Sequence, residues 1–250
     1  MRITTVSDDV HLVTGTNVNW ALITEGTAVT VVDAGYPNDG AALIASLAGI
    51  GRRPQDVRAV VLTHAHLDHM GGIPTLLKQH QVPVLTGEQE ARHAHRDYLE
   101  QISPVQMLGQ CRRWAGAVWV AQTLRAVLPH VAMAIPQAAP VPERVPLDVP
   151  GRLVPVVTPG HTSGHTAYLM PSAGIVFSGD ALVTDHPLLT GPSRPRLLPD
   201  VFTENGAQAT ASLPILGALP ADTLVPGHGP VYRGSLRAVV DNLAHDGQVP

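Results

Sequence analysis

Short apolar runs, separated by polar or glycine-containing segments, fill the first part of the chain. Runs of four or five residues bounded by turn residues are typical of β-strands. We predict the first three strands at Val10–Val13, Trp20–Ile23 and Ala28–Val32. Glu25 and Gly26 lie between the second and third runs, so these two strands should form a hairpin.

Helical segments then alternate with strands. Asp39–Leu47 is predicted to be a helix, because a capping asparagine precedes it and a glycine follows it. Arg58–Leu62 and Val82–Leu85 are predicted strands, with a helix over Ile73–His80 between them. This alternation is typical of a layered α/β fold.

The segment 87–150 interrupts the alternation and predicts a helical insert. Glu88–Glu100 and the apolar-rich Pro104–Leu128 have helical character, whereas Pro136–Pro150 contains five prolines and cannot be a regular helix. We interpret the proline-rich part as a strap that returns the chain. Because the connection is unusually long, we expect it to form a cap over the functional site. The alternative is a helix pair that only packs on the outside.

Composition indicates one globular domain over residues 1–250. Hydrophobic residues make up 44% of the chain and the net charge is -4, which excludes a disordered or strongly polyionic chain. The acidic balance argues against a nucleic-acid partner. The absence of a long apolar run argues against a membrane partner, and the N-terminus lacks the apolar core of a signal peptide, so we expect a cytoplasmic location.

The strongest chemical signal is the run from His64 to His69, which holds three histidines and Asp68 directly after a predicted strand. His and Asp are costly to bury unless they are paired or bound to metal. Neutral imidazole and carboxylate are also ligands that zinc and similar divalent ions prefer. Gly71 and Gly72 follow, so the stretch predicts a strand end, a tight loop and a helix.

Three later motifs repeat the arrangement of an apolar run, a glycine and one His or Asp. Glycine permits the tight turns and close backbone approach that such a site requires. Seven protein ligands exceed the needs of one tetrahedral ion and suit two ions that share a carboxylate. The seven candidates are His64, His66, Asp68, His69, His161, Asp180 and His228.

These motifs, in this order, resemble those of the metallo-β-lactamase superfamily. The matching segments are LTHAHLDHMGG, PGHTSGH, FSGDAL and VPGHGP, with VVDAG upstream, and they span Val10 to Val231. The resemblance implies a four-layer αββα sandwich, in which two mixed sheets pack together and helices cover both outer faces. It places the metals at the edge of the sheets.

The resemblance also implies roles for the ligands. His64, His66 and His161 would hold one metal, Asp68, His69 and His228 the other, and Asp180 would bridge them. We expect two divalent ions, zinc in the first place with iron or manganese as alternatives, and a hydroxide between them that attacks a substrate carbonyl. Asp68 and Asp180 are the expected catalytic carboxylates, Asp68 by binding the hydroxide and collecting its proton.

Further residues are predicted around this centre. Asp33 is expected to orient a ligand histidine, the alternative being a turn residue. Loops beyond strand ends and the predicted cap are expected to contact substrate. The predicted substrate contacts are Tyr36, Met70, Tyr98, Trp114 and His186, with Met107 and Leu108 as further apolar candidates.

The expected function is a metal-dependent hydrolase that cleaves an ester, lactone, thioester or amide bond in a small acyl compound. One alternative is a mononuclear-iron oxidoreductase resembling persulfide dioxygenases, and another is a metal-binding protein without turnover. The complete second ligand set favours hydrolysis. The oligomeric state stays open, with a homodimer as one candidate.

Two branches of the superfamily resemble this chain in part. Acyl-homoserine lactonases have a similar size, a bridging Asp and a helical insert, but commonly a Tyr three residues after that Asp, where this chain has Val183. Glyoxalase II-like thioesterases carry a long helical extension after the last ligand, whereas 22 residues follow His228. We therefore expect a lactonase- or thioesterase-like enzyme without a sharper assignment.

Overall fold

A computed structural model describes residues 1–245 of the chain. Within this range, runs rich in β-branched residues form strands. The strands are β1 Arg2–Ser7, β2 Val10–Thr14, β3 Asn19–Glu25, β4 Ala28–Val32, β5 Val57–Val61, β6 Val84–Thr86, β7 Ala138–Pro140, β8 Val154–Val157, β9 Thr166–Met170, β10 Ile175–Gly179, β11 Thr223–Pro226 and β12 Tyr232–Arg233. The helices are α1 Gly40–Gly49, α2 Leu67–Met70, α3 Ile73–Leu77, α4 Glu88–His95, α5 Pro104–Gly109, α6 Trp114–Val127, α7 Gly206–Gly217 and α8 Leu236–His245.

The strands form two mixed sheets. In the first, β1 to β7 lie in chain order, with antiparallel pairing from β1 to β4 and parallel pairing from β4 to β7. The second has the order β12-β11-β10-β9-β8, with β10 and β11 parallel and the other pairs antiparallel. Parallel neighbours end at the same edge of a sheet, which brings the loops after β4 and β5 together, and likewise those after β10 and β11.

The alternation of side chains along the strands creates separate cores. In β10, Ile175 and Phe177 belong to a cluster between the two sheets, whereas Val176 belongs to a cluster on the opposite face. The central cluster also takes Ile23 from the first sheet and Tyr168 from the second. This is the period-two pattern of strands that are buried on both faces.

Each sheet also packs against helices on its outer face. Leu43 of α1 and Leu76 of α3 join the outer cluster of the first sheet, and Leu213 of α7 and Val239 of α8 join that of the second. The layers therefore run helix, sheet, sheet, helix, and the predicted four-layer αββα sandwich is confirmed. No helix in the described range has the length and hydropathy needed to cross a bilayer.

The insert differs in detail from the sequence prediction. The first predicted helix ends at His95, where Arg96 adopts a left-handed conformation with φ of 67°. The second is divided, because Arg113 is extended between a short 3-10 turn and α6. The predicted strap contains β7, which pairs with β6 at the sheet edge, where Pro140 is tolerated.

Hydrogen bonds connect the insert to the loop before α1 and to the loop between β2 and β3. Asn38 Nδ2 donates hydrogen bonds to the carbonyls of Arg125 and Leu128, at 2.6 and 3.0 Å. Asn17 Nδ2 donates to Gln122 Oε1 at 2.7 Å. These contacts fix α6 beside the edge at which the predicted metal ligands lie.

Candidate active site

The predicted metal ligands lie beyond the carboxyl ends of four strands. The first group follows β5, where a short loop leads into α2. The loops after β8, β10 and β11 reach the same edge, because these three strands run in one direction within the second sheet. The structure thus brings together His64, His66, Asp68, His69, His161, Asp180 and His228, in three overlapping groups whose ligand atoms lie within 4.8 Å of one another.

Three imidazole nitrogens converge in one group. His161 Nε2 lies 3.2 Å from His64 Nε2 and 3.1 Å from His66 Nδ1, and the latter two atoms lie 3.1 Å apart. Two neutral nitrogens at this distance repel each other if both present lone pairs. The proton on each ring therefore decides what the group can bind.

The hydrogen-bond network assigns two of these protons. The Thr63 hydroxyl donates to Asp33 Oδ2, so Thr63 Oγ1 accepts from His64 Nδ1 at 3.0 Å. His66 Nε2 donates to the Glu100 carbonyl at 2.8 Å. His64 Nε2 and His66 Nδ1 therefore carry no proton, and their lone pairs point to one position, which suits a cation.

A second group contains His69, His228 and Asp68. Asp68 Oδ2 lies 3.8 Å from His69 Nε2 and 3.5 Å from His228 Nε2. The far nitrogens are again occupied, since His69 Nδ1 contacts Asp33 Oδ2 at 2.8 Å and His228 Nδ1 contacts the Asn17 carbonyl at 2.6 Å. In the neutral form of each ring the proton therefore lies on Nδ1, and Nε2 is the atom that can bind a cation.

Asp180 lies between the two groups. Its Oδ2 is 3.4 Å from His161 Nε2 and 3.2 Å from His228 Nε2, and its Oδ1 is 3.4 Å from His69 Nε2. The Asp180 backbone N–H donates to His165 Nε2 at 3.1 Å, which fixes the start of the loop. One carboxylate thus reaches both groups of imidazoles.

This donor set fits a divalent cation. His69 Nε2 and Asp180 Oδ1 are buried and make no hydrogen bond within the described residues. Buried polar atoms are normally satisfied, and a bound ion is one standard explanation when they are not. Gly227 keeps the space open, because a Cβ there would lie 2.3 Å from Asp180 Oδ1.

Electrostatics keep the first group neutral. Burial, with repulsion from neighbouring imidazoles, holds the pKa of His64 well below its ordinary value. Burial also holds the pKa of His161 well below its ordinary value and lowers that of His66 to about 4. Neutral imidazole is the form that binds metal.

The second group has the opposite character. Burial is the largest single effect on the pKa of His69 and His228 and lowers it, but attraction to Asp180 and Asp68, with Asp33 added at His69, together raises the pKa of both rings. The two rings in turn hold the pKa of Asp180 well below its ordinary value, although burial would raise it. The carboxylates that attract protons here would also attract a divalent cation.

Asp33 orients residues of both groups through hydrogen bonds. It has a left-handed backbone with φ of 60°, an uncommon conformation for a residue other than glycine. Its Oδ1 accepts from the Thr63 backbone N–H, and its Oδ2 contacts both the Thr63 hydroxyl and His69 Nδ1, each at 2.8 Å. This is the geometry that the sequence prediction of an orienting carboxylate requires.

Asp33→Ala is expected to weaken zinc binding by about 10- to 100-fold, because His69 loses its Nδ1 acceptor and the Thr63 donors lose theirs. Competition with a chromophoric chelator measures the affinity. Asp241→Ala, at an exposed position on α8, is the matched control and should bind zinc as the wild type does. Equal affinity in both variants would contradict the orienting role.

The sequence interpretation did not identify Glu90, a fully buried residue of α4. Its Oε1 accepts from the Ala65 backbone N–H and contacts His93 Nδ1, both at 2.7 Å. Its Oε2 accepts from the Thr162 hydroxyl at 2.7 Å. Ala65 and Thr162 adjoin metal-ligand candidates in two different loops, so one carboxylate ties both loops to the insert.

Glu100 extends this network. Its backbone N–H donates to His93 Nε2 at 3.2 Å, and its Oε2 accepts from the Ser163 backbone N–H at 2.7 Å. Its carbonyl is the acceptor for His66 Nε2. The beginning of the insert therefore sets the orientation of a predicted ligand. The i, i+3 spacing of Glu90 and His93 is the sequence signal that could have indicated the pair.

A cavity of about 470 Å³ opens beside the ligand groups. Most of its wall comes from the insert and from the loops before and after it. The lining residues that belong to the ligand set are His66, Asp68, His161, Asp180 and His228. The insert contributes Leu99, Gln101, Ile102, Ser103, Pro104, Met107, Trp119, Thr123, Leu124, Val127 and Val131.

Two of the predicted substrate contacts line this cavity. Tyr36 is almost fully buried, and burial raises the pKa of its phenol well above the ordinary value. His186 Nδ1 accepts from the Leu188 backbone N–H, which assigns its proton to Nε2, and burial lowers the pKa of the ring to about 3. The cavity therefore has two neutral polar groups at its metal end.

The other three predicted substrate contacts lie elsewhere. Met70 is fully buried in the outer cluster of the first sheet. Tyr98 stacks on His93 and donates to the Gln89 carbonyl. Trp114 is 83% exposed. None of the three belongs to the cavity lining, and of the two additional apolar candidates Met107 does whereas Leu108 does not.

The chain is similar to known proteins along most of its length. A family model described as the metallo-beta-lactamase superfamily matches residues 13–228. A probable metallo-hydrolase of Bacillus subtilis (strain 168) is 26% identical over 240 residues, which cover 90% of this chain and 84% of that protein. A hydroxyacylglutathione hydrolase of Cupriavidus metallidurans is 35% identical over 219 residues, which cover 84% of this chain but only 61% of that protein.

Solved structures show the same fold. A metallo-beta-lactamase family protein from Thermus thermophilus matches with a TM-score of 0.64 and 24% identity, covering 98% of this chain and 81% of that one. A subclass B3 metallo-beta-lactamase of Bradyrhizobium japonicum matches with a TM-score of 0.68 and 18% identity, covering 99% and 92%. The four layers, the ligand motifs in their order and the family match agree, and the chain belongs to the metallo-beta-lactamase superfamily.

Proposed function

We propose that this chain is a metal-dependent hydrolase that uses two divalent ions, zinc by preference, to cleave an ester, lactone, thioester or amide bond in a small acyl compound. The observation that carries the proposal is the convergence of seven His and Asp donors beside a mostly apolar cavity. The hydrolase names of the relatives support the reaction class.

Each group of donors would hold one ion. His64, His66 and His161 form one set, Asp68, His69 and His228 the other, and Asp180 would contact both. When bound, two divalent ions would supply Lewis acidity, which lowers the pKa of a coordinated water and polarises a carbonyl oxygen.

The protein's own groups would complete the reaction. Asp68 is the more exposed of the two carboxylates and lines the cavity, so it is placed to take the proton of the attacking water. Asp180 is buried and stays ionised, so its carboxylate would hold the imidazoles of both groups in position. His186 Nε2 and the Tyr36 hydroxyl are the neutral groups available to a substrate at this end of the cavity.

Elemental analysis of protein purified without chelator should give two metal ions per chain. Dialysis against a chelator should abolish hydrolysis of a panel of esters, lactones and thioesters, and added zinc should restore it. Both results follow if the bound ions activate the water that attacks the substrate. A metal content that stays at one per chain under metal-replete conditions would contradict the dinuclear assignment.

The same measurements separate the alternatives. One iron per chain, together with oxygen consumption on a persulfide, would establish the oxidoreductase instead. Full metal occupancy without turnover of any acyl compound in the panel would establish a metal-binding protein.

A further inference from the structure

We infer that the cavity beside the metal ligands binds an uncharged hydrocarbon chain, so that the substrate is a neutral acyl compound with a medium or long alkyl chain. This inference rests on the proposed hydrolase function for the position of the reacting carbonyl. It names the substrate class, which the ligand set leaves open.

The cavity wall differs in chemistry between the ligand set and the insert. The titratable lining groups, among them Asp68 and Asp180, belong to the ligand set or lie against it. The wall formed by the insert is dominated by aliphatic and aromatic side chains, including Met107, Trp119 and Val127. The lining contains no lysine and no arginine. A charged substrate tail would therefore lose its hydration without gaining an opposite charge.

The apolar surface continues out of the cavity. Leu99, Leu124 and Val131 belong to the lining and are also solvent-exposed, Val131 by 53%. These residues form an apolar rim at the mouth of the cavity. A chain that starts at the ligand groups can thus remain in contact with apolar surface until it reaches solvent, and each added methylene gains contact.

A binding series tests the inference without turnover. Methyl ketones with butyl, hexyl and octyl chains are neutral, cannot be hydrolysed and present a carbonyl to the metal-loaded protein. Their Kd values, measured by calorimetry, should fall by about two- to fourfold per methylene. A terminal trimethylammonium group, which cannot ligate a metal and so cannot bind in reverse, should weaken binding of the hexyl ketone by about tenfold or more. Constant Kd values along the series would overturn the inference.

A matched pair of variants localises the effect. Val131→Glu places a carboxylate at the exposed rim and should tighten binding of the trimethylammonium ketone by about two- to fivefold. Val145→Glu changes a residue of similar exposure, 48%, outside the cavity lining, and should leave both ligands unaffected. Equal responses in the two variants would show that the charged ligand binds elsewhere and would overturn the assignment of the rim.

A cleavage series tests the inference and the proposed function separately. For thioesters of one neutral thiol, kcat/KM should rise from the butanoyl to the octanoyl compound, and the corresponding glutathione thioesters, which carry carboxylates, should be poorer substrates. Cleavage that is independent of chain length would overturn the inference and leave the hydrolase function intact. Chain-length-dependent binding of the ketones with no cleavage of any thioester, ester or lactone would overturn the hydrolase function and leave the binding of a hydrocarbon chain in the cavity intact.

Discussion

Replacing Asp180 by asparagine is expected to reduce turnover by about a thousandfold or more. The side chain touches imidazoles of both ligand groups, within 3.4 Å of His161, His69 and His228. Asparagine keeps the shape but removes the charge that would balance two divalent ions. Removing one preorganised electrostatic group from an active site costs about a hundred- to a thousandfold in kcat, and the expected loss of a bound ion adds to this.

Metal content and steady-state kinetics together decide this prediction. Asp180→Asn should lose at least one of two ions per chain, and kcat should fall more than KM rises. Asp8→Asn, at an exposed position in the turn between β1 and β2, should leave both quantities unchanged. Wild-type metal content and rate in Asp180→Asn would show that the site has been assigned wrongly.

The ligand positions could be read from the sequence because each depends on local chemistry. Asp180 and His228 each lie directly after a glycine and three residues after the end of an apolar run, and the parallel pairing of β10 and β11 brings both to one edge. The alternation of strands and helices predicted a layered α/β fold in the same way. The four-layer αββα arrangement and the grouping of the ligands followed from the resemblance to the family.

The side chains that line the cavity could not be predicted from the sequence in this way. Trp114 and Trp119 lie on one helix, but a separation of five residues turns them about 140° apart. Trp119 therefore faces the cavity and is 3% exposed, whereas Trp114 points to solvent. Which face of α6 turns inward depends on contacts distant in sequence, such as those that Asn38 makes with the carbonyls of Arg125 and Leu128.

The same reason explains why Glu90 was missed. Its helix, α4, carries charged and polar residues on several sides, and a glutamate in such a segment normally lies on the surface. Only the fold shows that this side chain meets the Ala65 and Thr162 loops. A buried carboxylate with three partners is a strong constraint on those loops, and its removal should have a large effect.

Glu90→Ala is expected to lower the free energy of unfolding by about 3–5 kcal/mol, as when one member of a buried charged network is removed. The Ala65 N–H and the Thr162 hydroxyl would lose their acceptor, and His93 Nδ1 would lose its partner. Since the loops that carry His64, His66 and His161 would lose their common anchor, zinc affinity should fall as well. Urea unfolding of the zinc-loaded and zinc-free proteins measures both effects.

Two further variants give this prediction its controls. Glu88→Ala removes an exposed carboxylate two residues earlier on the same helix and should change stability by less than about 0.5 kcal/mol. Glu90→Gln keeps one acceptor oxygen for the Ala65 N–H and should recover part of the lost stability and zinc affinity. If Glu90→Ala unfolded at the same urea concentration as Glu88→Ala and retained its zinc, the carboxylate would not anchor the two ligand loops, and their arrangement would depend on the strands alone.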